Sequence, residues 1–122
     1  MLEDLKTSNL IFYCKEWSET VRFYRDRLRL TVTFSTDWFV EFRLSTKARL
    51  SIADESRSSI KGCGGRGITL AIQIADIEGM RRQTEAVGLK PTAIKKHPWG
   101  AKVFYLFDPE GHRIELWESN NS

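Results

Sequence analysis

Residues 99–117 constrain this chain more than any other stretch. Residues 102–107 and 112–117 are rich in aromatic and β-branched types, the composition of strands. Between them stands Asp108-Pro109-Glu110-Gly111. Pro109 presets φ at the second position of a turn. Asp108 is suited to accept hydrogen bonds from the backbone just ahead of it, and Gly111 suits the exit of a type I turn. The stretch therefore reads as a β-hairpin. Past the turn, Ile114 and Leu116 point to one face of the sheet, and Arg113, Glu115 and Trp117 to the other. With Ile114 and Leu116 against a helix-covered core, Glu115 faces whatever lies on the opposite side.

The rest of the chain supplies elements that match this hairpin twice over. Residues 9–14 read as a strand. Ser18 is placed to cap a helix running to about Leu28, with Glu19 in its first turn. Trp17, Val21, Tyr24 and Leu28 share one stripe of that helix, while Phe23 falls off it and calls for a second contact, at a sheet edge or a partner subunit. Strands follow at 30–34, 38–44 and 49–53. Residues 54–67 are polar and hold Gly62, Gly64, Gly65 and Gly67, the composition of a mobile linker. A strand at 68–74 leads to a helix capped by Asp76, with Ile77, Met80, Thr84 and Val87 on one face. Gly88 stops that helix, with Pro91 beyond. A strand at 92–95 and the hairpin complete the chain. The order βαβββ thus occurs twice in a single domain of 122 residues, once over about 8–54 and again over about 68–118.

Trp99-Gly100, a short strand, Asp108-Pro109-Glu110-Gly111-His112 and then Ile114-Glu115-Leu116 form a pattern specific in type and spacing. With it the chain resembles the glyoxalase / bleomycin-resistance / extradiol-dioxygenase superfamily, also called the vicinal oxygen chelate superfamily, over nearly its whole length. The resemblance implies an α+β fold in which two βαβββ modules form a curved mixed sheet around a cleft, with the helices outside. It implies a homodimer, in which modules are exchanged between subunits in some members. It also implies a divalent metal held at four equivalent positions, one on each opening strand and one on each closing strand, usually filled by His, Glu or Gln. Here those positions fall on Asn9, Ser51, Thr69 and Glu115. Only Glu115 is a good ligand for a first-row metal; an amide and two hydroxyls are not. His97 and His112 read as solvent-facing residues of a loop and a turn. The expectation is therefore no metal and no cofactor.

Strand alternation gives the lining of the implied cleft. Phe39, Glu41 and Arg43 oppose the helix-facing Val40, Phe42 and Leu44. Thr69, Ala71 and Gln73 oppose Leu70, Ile72 and Ile74. Ile11 and Tyr13 join Asn9, and the hairpin adds Val103, Tyr105 and Phe107. Trp38 and Trp99 lie near strand ends, where they suit lids over a planar ligand. The expected ligand-binding set is Asn9, Tyr13, Trp38, Phe39, Glu41, Arg43, Ser51, Thr69, Gln73, Trp99, Tyr105, Phe107 and Glu115. Aromatic walls with a few polar groups are the usual make-up of a small-molecule site. For any one of these residues packing is the plainer reading: Glu41 and Arg43 are placed to pair with each other, and Glu115 to bond Ser51 or Thr69. The set as a whole favours a cleft, because so many polar side chains on one buried face are otherwise costly.

Charge and cysteine usage narrow the function. No apolar run approaches the length of a membrane span, and the first six residues lack the apolar core of a signal peptide, so a cytoplasmic protein without membrane contact is expected. Cys14 and Cys63 are too few for a disulfide framework; Cys14 reads as packing and Cys63 as an exposed thiol. A net charge of +3 favours an anionic ligand over a cationic one. The basic residues, among them Arg22, Arg25, Arg27 and Arg29, are scattered, and no nucleic-acid-binding signature accompanies them. The leading expectation is a metal-free protein that sequesters a planar or anionic small molecule. The alternatives are a metal-dependent lyase, isomerase or dioxygenase, a metal-free enzyme using Glu115 or Glu41 as general base, and a dimeric scaffold with a vestigial cleft.

Overall fold

Each βαβββ repeat builds a sheet and a core of its own. The structure, a computed structural model, describes residues 1–120 and divides into two compact units, Met1–Gly64 and the chain from Gly65 onward. The first unit contains β1 (Ser8–Cys14), α1 (Trp17–Arg22), a π-helical turn (Phe23–Arg27), β2 (Val32–Ser35), β3 (Phe39–Ser45) and β4 (Ala48–Asp54). Its strands lie in the order β1-β4-β3-β2, with β1 parallel to β4 and the other pairs antiparallel. The second unit repeats this with β5 (Thr69–Gln73), α2 (Ile77–Ala86), β6 (Lys95–His97), β7 (Ala101–Phe107) and β8 (Arg113–Ser119) in the order β5-β8-β7-β6. The fold is α+β, with two four-stranded mixed sheets and no closed barrel.

Alternation sorts the side chains as the sequence predicts. In the first unit Phe12, Cys14, Val40, Phe42, Leu50 and Ile52 are buried with Val21, Phe23 and Tyr24 from the helical segment. In the second, Phe104, Leu106, Ile114 and Leu116 are buried with Ile77 of α2. Asp76 caps α2 as expected, its side chain accepting from the Gly79 N–H at 3.1 Å.

The first helix departs from expectation in two ways. Ser18 is not the cap: the helix starts two residues earlier than a Ser18 cap implies, Glu16 holds the cap position, and the Thr20 hydroxyl donates to the Glu16 carbonyl at 2.7 Å. The α-helix also ends at Arg22 and widens into the π-helical turn, closed by Leu28 N–H donating to the Phe23 carbonyl at 3.0 Å. The wider turn lets adjacent aromatics both face inward. Phe23 meets Tyr24 edge-on, 5.0 Å between centroids and 81° between planes, a contact within its own helical segment where a sheet edge or a partner subunit was expected.

Strand β2 holds a bulge. Val32 pairs with Phe42, Phe34 with Glu41 and Ser35 with Val40, so Thr33 is the extra residue opposite Glu41. The insertion turns both Thr33 and Phe34 toward the face away from α1, and returns Ser35 to the same side as Val32. The predicted linker is pinned at its glycines. A Cβ on Gly62 would lie 2.0 Å from the Tyr13 carbonyl oxygen, and one on Gly65 would lie 2.3 Å from that of Gly111.

Candidate functional site

In each unit the sheet face away from the helix carries the predicted residues. In the first unit, Asn9, Tyr13, Phe39, Glu41, Arg43 and Ser51 share that face. Ser51 is fully buried, and its hydroxyl donates to the Asn9 side-chain oxygen at 2.8 Å. Glu41 sits directly across from Ser51. The expected Glu41–Arg43 pair is not formed. Glu41 accepts from the Thr33 hydroxyl at 2.7 Å and meets Arg49 at 3.9 Å, while Arg43 donates to the Thr46 hydroxyl at 3.3 Å. Residues two apart on a strand point the same way but diverge along it; a residue on the neighbouring strand is the nearer partner. At the strand's start Trp38 packs against Phe39, 5.5 Å between centroids, and Phe34 approaches Phe39 from β2 at 6.4 Å.

In the second unit, Thr69, Gln73, Tyr105, Phe107 and Glu115 share one face. The expected bond from Thr69 to Glu115 is replaced by one from Arg113, whose Nε donates to the Thr69 hydroxyl at 3.0 Å while its guanidinium lies 4.7 Å from the Tyr105 ring centroid. Glu115 stands across from Tyr105 on one side and Ala71 on the other, half-buried. Among the described residues no side chain or backbone group pairs with its carboxylate. Near the end of the hairpin, His97, Trp99 and Trp117 form a run of rings, with centroids 5.5 and 6.1 Å apart, and Trp99 is 64% exposed.

Both histidines are placed differently from the expectation. His112 is 3% exposed and its Nδ1 lies 2.8 Å from Asp108 Oδ2. The cause is the turn itself. Asp108 Oδ1 accepts from the backbone N–H groups of Glu110 and His112, at 3.0 and 2.9 Å, which folds His112 back over the carboxylate. His97 belongs to β6, pairs with Ala101 and is half-buried against Trp99.

Arg49, Thr33, Arg113, Trp117 and His97 were absent from the predicted set. Arg49 and Arg113 lie two residues before Ser51 and Glu115, so alternation extended by one step reaches both. Thr33 depends on the bulge, which has no signal in the sequence.

The donor chemistry does not fit a first-row metal. At the four positions the Asn9 oxygen is taken by Ser51, and the Thr69 hydroxyl by a guanidinium that repels a cation. Only Glu115 offers a charged oxygen. Among the described residues one acidic cluster, Asp76, Glu78 and Glu118, gathers at the start of α2. Its carboxylates are occupied by the Gly79 N–H, Lys102 Nζ at 3.0 Å and the Ile77 N–H at 3.0 Å. The Lys102 hydrogen bond holds the Glu78 carboxyl below the usual carboxylate range, and Glu78 in turn raises Lys102.

Comparisons with known proteins agree with this architecture. The sequence profile described as the glyoxalase-like domain matches residues 7–121. No curated protein matches the chain. A glyoxalase / bleomycin resistance protein / dioxygenase from Nocardioides superposes with a TM-score of 0.78 at 18% identity, covering 92% of this chain and 82% of that one. Lactoylglutathione lyase from Agrobacterium tumefaciens gives 0.73 at 21% identity, covering 90% of each. The bleomycin resistance determinant encoded on the transposon Tn5 gives 0.72 at 16% identity, covering 92% or more of both chains (93% and 97%).

Proposed function

The chain belongs to the glyoxalase-like domain family, and from that premise we propose that it is a metal-free binder that sequesters a planar or anionic small molecule. The observation that carries this reading is the donor set. The positions where the family places metal ligands hold an amide, two hydroxyls and one carboxylate, with Arg113 seated on Thr69. A single carboxylate does not hold a first-row metal against water. The same faces are well made for an organic ligand. Within the second unit Tyr105, Trp99 and Phe107 offer ring surface, and Arg113, already stacked on Tyr105, offers a fixed cation to an anionic group; in the first unit Phe39 offers a ring of its own. The protein works in the cytoplasm as a homodimer on this reading, and sedimentation of the purified protein tests the dimer.

The first experiment is metal content of the untagged protein together with melting-temperature shifts on adding Ni, Mn, Zn and Fe(II). The expected result is no bound metal and no shift, followed by saturable tryptophan quenching with a planar organic anion. Near-stoichiometric metal with a shift of several degrees overturns the reading and puts a metal-dependent lyase, isomerase or dioxygenase in its place.

One observation favours a second reading, a metal-free enzyme. The Glu115 carboxylate is half-buried, stands across from Tyr105 and has no partner among the described residues, as a general base would. Turnover of an identified substrate that survives Glu115→Gln removes it.

A further inference from the structure

We propose that the first unit carries a second ligand site, on the opposite side of its sheet from the residues discussed above, built to hold an organic anion with an aromatic or aliphatic body. A cavity of about 410 Å³ lies between α1 and strands β2 and β3. This is within the ~300–1,000 Å³ usual for small-molecule pockets. Its apolar wall is made by Trp17 and Val21 from the helix and by Val32 and Val40 from the strands. The bulge in β2 creates this wall. Val32 and Ser35 are three residues apart, and in a regular strand they would face opposite ways. The extra residue at Thr33 puts both on the helix side, Val32 across from Phe42 and Ser35 across from Val40.

The charge at the rim selects the ligand. Arg22 and Arg25 line the opening, and no carboxylate lines the cavity. The neighbouring acid, Asp26, is already taken: both its oxygens accept from Arg25, at 2.8 and 3.1 Å. Two guanidinium groups therefore face one carboxylate: Asp26 feels the charge of Arg22, but its oxygens are held by Arg25, and among the described residues the Arg22 side chain makes no hydrogen bond or ion pair. A bound carboxylate, sulfonate or phosphate would complete the balance, with its apolar part on the two valines and the indole of Trp17. That indole is fixed, since its N–H donates to the Ile52 carbonyl at 2.9 Å. The wall therefore needs no rearrangement to receive a flat group, and less ordering entropy is lost on binding. The widened π-helical turn that follows α1 carries Arg25 and is the kind of helix irregularity often found at functional sites.

The test uses the full chain, 2-naphthoate as the probe and 2-naphthalenemethanol as its neutral counterpart. Calorimetry reads affinity, and the Trp17 indole N–H cross-peak in a ¹⁵N spectrum reports location. The expected result is saturable binding of 2-naphthoate with the Trp17 peak moving along the same isotherm, and binding of the alcohol weaker by about tenfold, the size of one charge-assisted contact. The double variant Arg22→Gln/Arg25→Gln, which changes only solvent-facing groups, is expected to lose about tenfold for the carboxylate and nothing for the alcohol. Val32→Phe, which fills the cavity, is expected to weaken both. Equal affinity for acid and alcohol overturns the proposal, as does an arginine pair without effect. Absence of saturable binding, or a titration that leaves Trp17 unmoved and is abolished by Tyr105→Ala, overturns it as well.

Discussion

Gly65 shows how a single residue can be required by its neighbours' backbone. Its φ is +80°, and a Cβ there would lie 2.3 Å from the carbonyl of Gly111 and 2.6 Å from the His112 nitrogen. Both neighbours are main chain and cannot swing aside. Gly65→Ala is expected to destabilise by about 2–3 kcal/mol, since left-handed strain adds to a backbone clash. Gly64 also has positive φ, at +69°, but open space around its missing Cβ. Gly64→Ala is expected to cost only the left-handed strain of about 1 kcal/mol. Urea denaturation of the two variants checks the difference; equal losses would mean that the Gly65 contact is slack. The residue that Gly65 packs on is held in turn by Asp108. Asp108→Ala removes the acceptor for two backbone N–H groups and the His112 ring, with an expected loss of about 3 kcal/mol, whereas Asp108→Asn keeps Oδ1 and is expected to lose about 1 kcal/mol. The sequence announced the turn, because proline, glycine and an acidic first residue act locally. It did not announce the burial of His112, because that depends on which oxygen of Asp108 the backbone leaves free.

At the scale of elements most strands were legible, but the one expected at 92–95 lies instead at Lys95–His97, and helix details were not legible. Alternation is a two-residue signal, and the faces of β3, β4, β7 and β8 follow it. The C-terminal end of α1 falls where Phe23 and Tyr24 pack inward, and no propensity carries that information. The β2 bulge, which sets Thr33 against Glu41, likewise has no local signal. Ties between elements are readable as charge only once the fold is known, and the clearest is Lys102 on β7 with Glu78 on α2, 3.0 Å apart. The Glu78 carboxyl is lowered by this hydrogen bond. A group whose folded pKa is depressed adds stability above its unfolded pKa, and that contribution is lost as pH falls through the folded value. Lys102 is raised, so its contribution is present below its unfolded pKa and lost as pH rises through the folded one. Glu78→Gln is therefore expected to lower the melting temperature near neutral pH. The gap from the parent should close at the acid end, below the carboxylate range, and again at the far alkaline end. The effect is small, because the pair is partly exposed. A gap that persists unchanged at acid pH would mean that Glu78 acts through packing and not through charge.

For the molecule as a whole, the repeated βαβββ order was legible because each copy is written in local signals: a strand, a capped helix, three strands and their turns. The family resemblance rested on one hairpin and held across residues 7–121. The strand faces were legible, since alternation places Asn9, Glu41, Ser51, Thr69 and Glu115 on the faces away from the helices, but it does not say which neighbours occupy them. Net charge is a property of the whole chain, and it bears on both proposed sites. With 19 Lys and Arg against 16 Asp and Glu, the protein attracts anions at long range. Arg22 in the first unit and Arg113 in the second each add a local field. Salt screens the long-range part within about 10 Å at 0.1 M and leaves the close contact largely intact. The affinity for 2-naphthoate is thus expected to fall about threefold between 20 and 300 mM NaCl, with the neutral alcohol unaffected. A titration at several salt concentrations reads both curves. Parallel curves for acid and alcohol would mean that the anion is held by apolar surface alone, and that the guanidinium groups in both units are solvated bystanders.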